Sequence, residues 1–152
     1  MRTPEAASEN IELGQYAPYF LGAIANRWTA ASSRRYLREF GVGIAEWRVL
    51  ASLRSLGQAT SLDAANLTGM DPAAVTRALT QLQDKGCAEP VVGRFIGRAK
   101  PFALTEKGMA LYADMRRVAL EREAVLLQDL SEADRNELLR LLRLLHGRLA
   151  EL

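Results

Sequence analysis

The chain has 152 residues, 49% hydrophobic, 25% charged and 7% aromatic, with a net charge of +2; this is the balance of a globular domain and excludes collagen-like, low-complexity and disordered classes. One cysteine, Cys87, and one histidine, His146, exclude an intramolecular disulfide and leave no ligand set for a metal cluster, so no metal and no cofactor is expected. No apolar run reaches the ~18 residues of a membrane helix, and Glu5 and Glu9 stand where a signal peptide would be basic and then apolar; a cytoplasmic protein without membrane contact is predicted.

Residues 1–15 read as a flexible N-terminal segment. From Tyr16 to Phe40 the apolar positions Phe20, Ala23, Ile24, Ala31 and Leu37 recur at near-helical spacing, and Gly41 supplies a stop, which predicts a helix over 17–39. Ala45 to Leu56 predicts a second helix, with Trp47, Val49, Leu50 and Leu53 on its apolar face and Gly57 at its end. Ser61 is placed to cap a short third helix through Leu67. Asp71-Pro72 then pairs an N-cap with a proline at the first helical position, where its missing N–H is harmless. The helix that follows, 72–85, puts Val75, Leu79 and Leu82 on one face. Short helix, tight turn and second helix is the spacing of a helix-turn-helix.

Beyond Gly86 the period becomes extended. Residues 87–92 and 101–104 flank a segment with Gly93, Arg94, Gly97, Arg98 and Lys100, as in a β-hairpin with a basic tip; Pro90 and Pro101 must sit where no ladder bond is needed. A long helix from Thr105 to about Gln128 carries Leu111, Met115, Val118, Ala119, Val125 and Leu126. Ser131 to Asp134 resembles a capping box. The last helix, from 132 to about 150, holds Leu138, Leu139, Leu141, Leu142, Leu144, Leu145 and Leu149, more than one apolar stripe, so a partner helix is expected against it.

In this order the segments resemble the MarR family of winged helix-turn-helix regulators: GIAEWRVLASL its second helix, SLDAANLTGMDPAAVTRALTQLQDKG its helix-turn-helix, FALTEKGMAL the exit from its wing, and LSEADRNELLRLLRLL its last helix. The resemblance implies a mainly α (α+β) fold and a single domain over 16–152. Within it, 16–40 and 109–152 would be dimerisation helices and 41–108 the winged lobe. It implies a DNA-binding transcriptional regulator: a ligand-responsive repressor that binds a pseudo-palindromic operator as a homodimer. One position departs from the family: its wing carries Asp-x-Arg before the Leu-Thr pair, and here Ile96 stands in the Asp position ahead of Arg98.

Partner double-stranded DNA would be read by the outward face of the helix 72–85, where Ala73, Ala74, Thr76, Arg77, Thr80 and Gln81 are the candidates, and by Arg94, Arg98 and Lys100 of the wing. Arg77 suits a bidentate guanine contact, Thr76 and the alanine methyls suit thymine methyls or phosphate, and the helix N-terminus suits a phosphate. Charge is unevenly placed. Residues 26–54 sum to +4 and 55–105 to +1, whereas 1–25 and 106–152 sum to −2 and −1; placement matters more than the total for phosphate binding.

The family also binds small aromatic or phenolic acids, and Arg27 with Phe20, Trp28 or Trp47 would suit such an effector, although Trp47 equally reads as core and the arginines of the first helix as a solvated face. Cys87 opens a strand where an apolar residue belongs and reads as packing rather than a redox centre. No nucleophile, phosphate-loop or dinucleotide motif is present and no catalytic residue is assigned, so an enzyme is not expected. The alternative function is a winged-helix protein-interaction module without sequence-specific DNA binding.

Overall fold

The computed structural model describes residues 10–93 and 99–149. A 3₁₀ turn, Leu13–Gln15, precedes six helices and two strands in the order α1 (Ala17–Phe40), α2 (Ile44–Leu56), α3 (Ser61–Thr68), α4 (Pro72–Asp84), β1 (Ala88–Pro90), β2 (Phe102–Leu104), α5 (Glu106–Leu126) and α6 (Glu132–Leu149). The chain divides into two units after Tyr112, inside α5.

In the first unit the core is built by α2, α3 and α4. Val49, Leu50 and Leu53 of α2 meet Ala64 and Ala65 of α3 and Val75, Ala78, Leu79 and Leu82 of α4, all buried. Each of the larger side chains contributes roughly 1.5–3 kcal/mol on burial. The buried face of α4 is the one its spacing predicts. That of α1 differs. Phe20, Ile24 and Leu37 of its predicted apolar stripe are 46%, 55% and 52% exposed, whereas Ser32 and Tyr36 are buried; the ring of Tyr36 is held against Trp47 of α2, and this contact selects the inward face.

Local chemistry sets the element ends. The third helix is capped by Thr60 rather than Ser61: the Thr60 hydroxyl accepts from the Asp63 N–H at 3.1 Å, and the Asp63 carboxylate accepts from the Thr60 N–H at 2.9 Å. These hydrogen bonds hold the Asp63 carboxyl below the ordinary aspartate value.

The wing strands pair antiparallel, with Ala88 opposite Leu104 and Pro90 opposite Phe102. Both backbone groups of Phe102 are bonded to Ala59, at 2.8 and 3.0 Å. Pro90 therefore faces Phe102 across a pair that asks it for no N–H, and Ala59 covers the far edge of what the sequence presents as a bare two-stranded ribbon. Thr105 closes the wing. Its hydroxyl donates to the Gly86 carbonyl at 2.6 Å and accepts from the Gly108 N–H at 3.1 Å, so it caps α5 and ties it to the end of α4's loop. A Cβ on Gly108 would lie 2.0 Å from the Cys87 carbonyl oxygen, so only glycine allows α5 to start there.

In the second unit, Ser131 and Asp134 form the predicted capping box. The Ser131 hydroxyl and N–H donate to the Asp134 carboxylate at 2.7 and 3.1 Å, and the Asp134 N–H returns to the hydroxyl at 3.1 Å. The turn between α5 and α6 is further held by Arg135, whose Nη2 donates to the Leu127 carbonyl at 2.9 Å. Among the described residues, α6 buries none of its side chains in the single chain.

Candidate nucleic-acid interface

The turn from α3 into α4 is built from side-chain caps. Gly69 takes φ 69° and ends α3, while the Thr68 hydroxyl donates to the Ala64 carbonyl at 2.7 Å and accepts from the Met70 N–H at 3.2 Å. Asp71 caps α4, its carboxylate accepting from the Ala74 N–H at 3.1 Å. From that start, Val75, Ala78, Leu79 and Leu82 turn inward, Ala73, Thr76, Arg77, Thr80 and Gln81 are exposed, and Ala74 is half-buried. Five of the six residues inferred from the helical period are outward; Ala74 is partly covered. The first turn has little left for a phosphate, because Pro72 brings no N–H, Asp71 takes those of Ala74 and Val75, and its carboxylate would repel an anion.

The outward threonines are partly committed. Thr76 donates its hydroxyl hydrogen to the Pro72 carbonyl and Thr80 to the Thr76 carbonyl, both at 3.0 Å. With its hydrogen turned back on the helix, each hydroxyl can only accept, and phosphate oxygens are acceptors too. To a groove these residues offer methyl groups, and an acceptor only for the amino groups of adenine or cytosine. Arg77 and Gln81 bring the hydrogen-bonding capacity.

In the wing, Lys100 is exposed beside β2. Arg94 and Arg98, together with Ile96, lie outside the described residues.

A second feature lies on another face of α2. An open cleft of about 310 Å³ is lined by Trp47, Arg48, Ala51 and Ser52 of α2 and by Leu67 and Thr68 of α3. Of the four residues inferred for an effector, Trp47 alone is among these; Phe20 and Arg27 are exposed along α1 and Trp28 is half-buried. The cation at the cleft is Arg48, whose Nη2 donates to Thr29 Oγ1 at 2.9 Å. Trp47 forms one wall because its ring stacks on Tyr112 with centroids 5.7 Å apart and an interplanar angle of 15°. Tyr36 lies 5.9 Å away on α1, and the Arg54 guanidinium sits 6.0 Å from the Tyr112 centroid. Tyr36, Arg48 and Tyr112 carry no sequence motif that marks them.

No family model matches the chain. It is 26% identical over 118 residues to YwoH, an uncharacterised HTH-type transcriptional regulator of Bacillus subtilis (strain 168), covering 78% of this chain and 85% of that protein. Its fold is similar to that of BpsR of Bordetella bronchiseptica, whose DNA binding is regulated by 6-hydroxynicotinic acid, with a TM-score of 0.75 at 21% identity over 91% of this chain and 98% of the other. A MarR/EmrR family transcriptional regulator from Acinetobacter sp. ADP1 superposes with a TM-score of 0.86 at 30% identity, over 93% of this chain and all of that one. With a capped two-helix reader, a short wing and this likeness along nearly its whole length, the chain belongs to the MarR/EmrR family of transcriptional regulators.

Proposed function

We propose that the protein acts as a homodimer that represses transcription from a pseudo-palindromic operator and is released by a small aromatic acid. The chain itself is a DNA-binding transcriptional regulator and not an enzyme; the finer assignments rest on its geometry. The single observation that carries the reading is the division of α4: four core side chains on one face, and Arg77, Gln81 and a row of methyl groups on the other. Ala73, Ala74, Thr76, Arg77, Thr80 and Gln81 would lie along base edges, with Arg94, Arg98 and Lys100 against the adjacent backbone or minor groove.

Dimerisation is supported by apolar surface that a lone chain leaves in water. Tyr16, Tyr19, Phe20, Leu21 and Ile24 are 42–55% exposed, and six leucines of α6 between Leu139 and Leu149 are 38–65% exposed. Residues 16–40 and 109–152 would supply the dimer contacts and 41–108 the reading lobe. For the effector, Trp47 and Arg48 at the cleft give an aromatic wall beside a guanidinium, which suits a ring bearing a carboxylate. Arg48 takes the role the sequence suggested for Arg27.

The test is a mobility shift on duplexes selected from the parent genome. Binding should weaken steeply as salt rises, Arg77→Ala should relax preference at one position per half-site by about 1–3 kcal/mol, and benzoate-type acids should release the DNA from the wild type but not from Arg48→Ala. A protein that retards no duplex even at low salt would instead favour the protein-interaction module.

A further inference from the structure

We infer that Lys85 and Glu46 are positioning residues for DNA recognition: an ion pair with a buried carboxylate and a half-exposed ammonium that ties the end of the reading helix α4 to the junction of α1 and α2, and so fixes the angle at which α4 is presented. Lys85 is the C-cap of α4. Its Nζ donates to the Gly41 carbonyl at 3.0 Å and to Glu46 Oε2 at 2.5 Å, and Glu46 Oε1 accepts from the Gly43 N–H at 3.3 Å. The Glu46 side chain is 8% exposed, that of Lys85 38%.

Three helix ends thus meet at one cation and one carboxylate. Gly41 is the C-cap of α1, where carbonyls point outward and a cation is favoured; Glu46 sits in the first turn of α2, where an anion is favoured. Each charge of the pair thus lies at a helix end that favours its sign, and the added bonds to the Gly41 carbonyl and the Gly43 N–H hold both groups in place. Replacing a pair with a buried carboxylate by apolar side chains of similar volume is often neutral or stabilising, so the contribution inferred for these ions is geometry rather than stability. The N-terminal half of α1 carries the exposed aromatic and aliphatic side chains assigned above to dimer contacts. Its C-terminal end therefore joins the dimer surface to the reader through this pair.

The inference rests on the reading of α4 as the recognition helix of a dimer, and the experiment separates the two. Wild type, Lys85→Met, Lys85→Arg and the apolar double variant Glu46→Leu/Lys85→Met are compared on a selected duplex and on versions with the half-sites moved one base pair closer or farther apart. Wild type and Lys85→Arg should prefer the native spacing. The double variant should stay folded, by its thermal transition, yet bind the native spacing several-fold more weakly and tolerate the altered ones. A folded double variant with wild-type affinity and spacing preference overturns the inference. So does a uniform loss across all spacings with a shallower salt dependence, which would make Lys85 a phosphate contact. Wild type without any spacing preference would overturn the dimer reading itself, and the inference with it.

Discussion

Helices α4 and α6 are both amphipathic, and they end in opposite conditions. In the 13 residues of α4, Val75, Ala78, Leu79 and Leu82 are sealed in the lobe and Thr76, Arg77, Thr80 and Gln81 stay exposed. In the 18 residues of α6 no side chain is buried, although leucines fill it. The helices of the lobe cover one another's apolar faces between residues 44 and 84, whereas six leucines of α6, those proposed above for dimer contacts, stay 38–65% exposed in the single chain. If the proposed dimer forms through α6, folding and assembly are separable, and substitutions in the two regions should fail in different ways.

The largest effect is expected in the lobe. Gly108→Ala places a methyl carbon 2.0 Å from the Cys87 carbonyl oxygen, with backbone on both sides of the clash; a loss of at least about 3 kcal/mol in urea unfolding is expected, and near-wild-type stability would remove the close approach from the account. Leu142→Glu with Leu145→Glu attacks the other region. Each leucine withdrawn from an interface forfeits roughly 1.5–3 kcal/mol, so light scattering should report a monomer while circular dichroism still reports a folded lobe; an unchanged dimer would place assembly elsewhere.

A smaller effect is expected on the open face of α4. If its threonines read methyl groups, Thr76→Val should bind operator like wild type, and Thr76→Ser should lose about 0.8 kcal/mol per half-site, the worth of one buried methyl. The reverse order, in equilibrium titrations, would make the hydroxyl the reading group.

Acid sensitivity is the mildest expectation. Hydrogen bonds from Thr60 hold the Asp63 carboxyl, and those from Ser131 the Asp134 carboxyl, below the ordinary aspartate value. A group with a depressed folded-state pKa contributes stability that is complete above its unfolded value and is lost as pH falls through the folded one. Thermal transitions should therefore fall on acidification below the ordinary aspartate range, and less so in Asp63→Asn/Asp134→Asn, which starts lower at neutral pH.

Much of the reader was legible in advance because it depends on neighbours in sequence. Asp71-Pro72 starts α4, Ser131 with Asp134 starts α6, and the glycines at 41, 57 and 69 end their helices, all through contacts within four residues. Where a position has two local solutions, the partner it meets decides. Ser61 and Thr60 can both cap α3, and the one with Asp63 three residues on won because its N–H is taken in return. On α1 the apolar spacing pointed to Phe20, Ile24 and Leu37, but Tyr36 faces the core because Trp47 is there to meet it.

The helix-turn-helix, most of its outward residues and the surplus of apolar side chains in α6 are written in the local order of residues, since periodicity and caps act over one or two turns. Only the tertiary structure decided that Arg48 rather than Arg27 stands at the cleft, that Tyr36 and Tyr112 flank Trp47, that Ala59 covers the wing, and that Lys85 reaches Glu46 across 39 residues. Each of these joins side chains from elements distant in the chain, and their meeting is set by how helices pack rather than by any spacing within one of them.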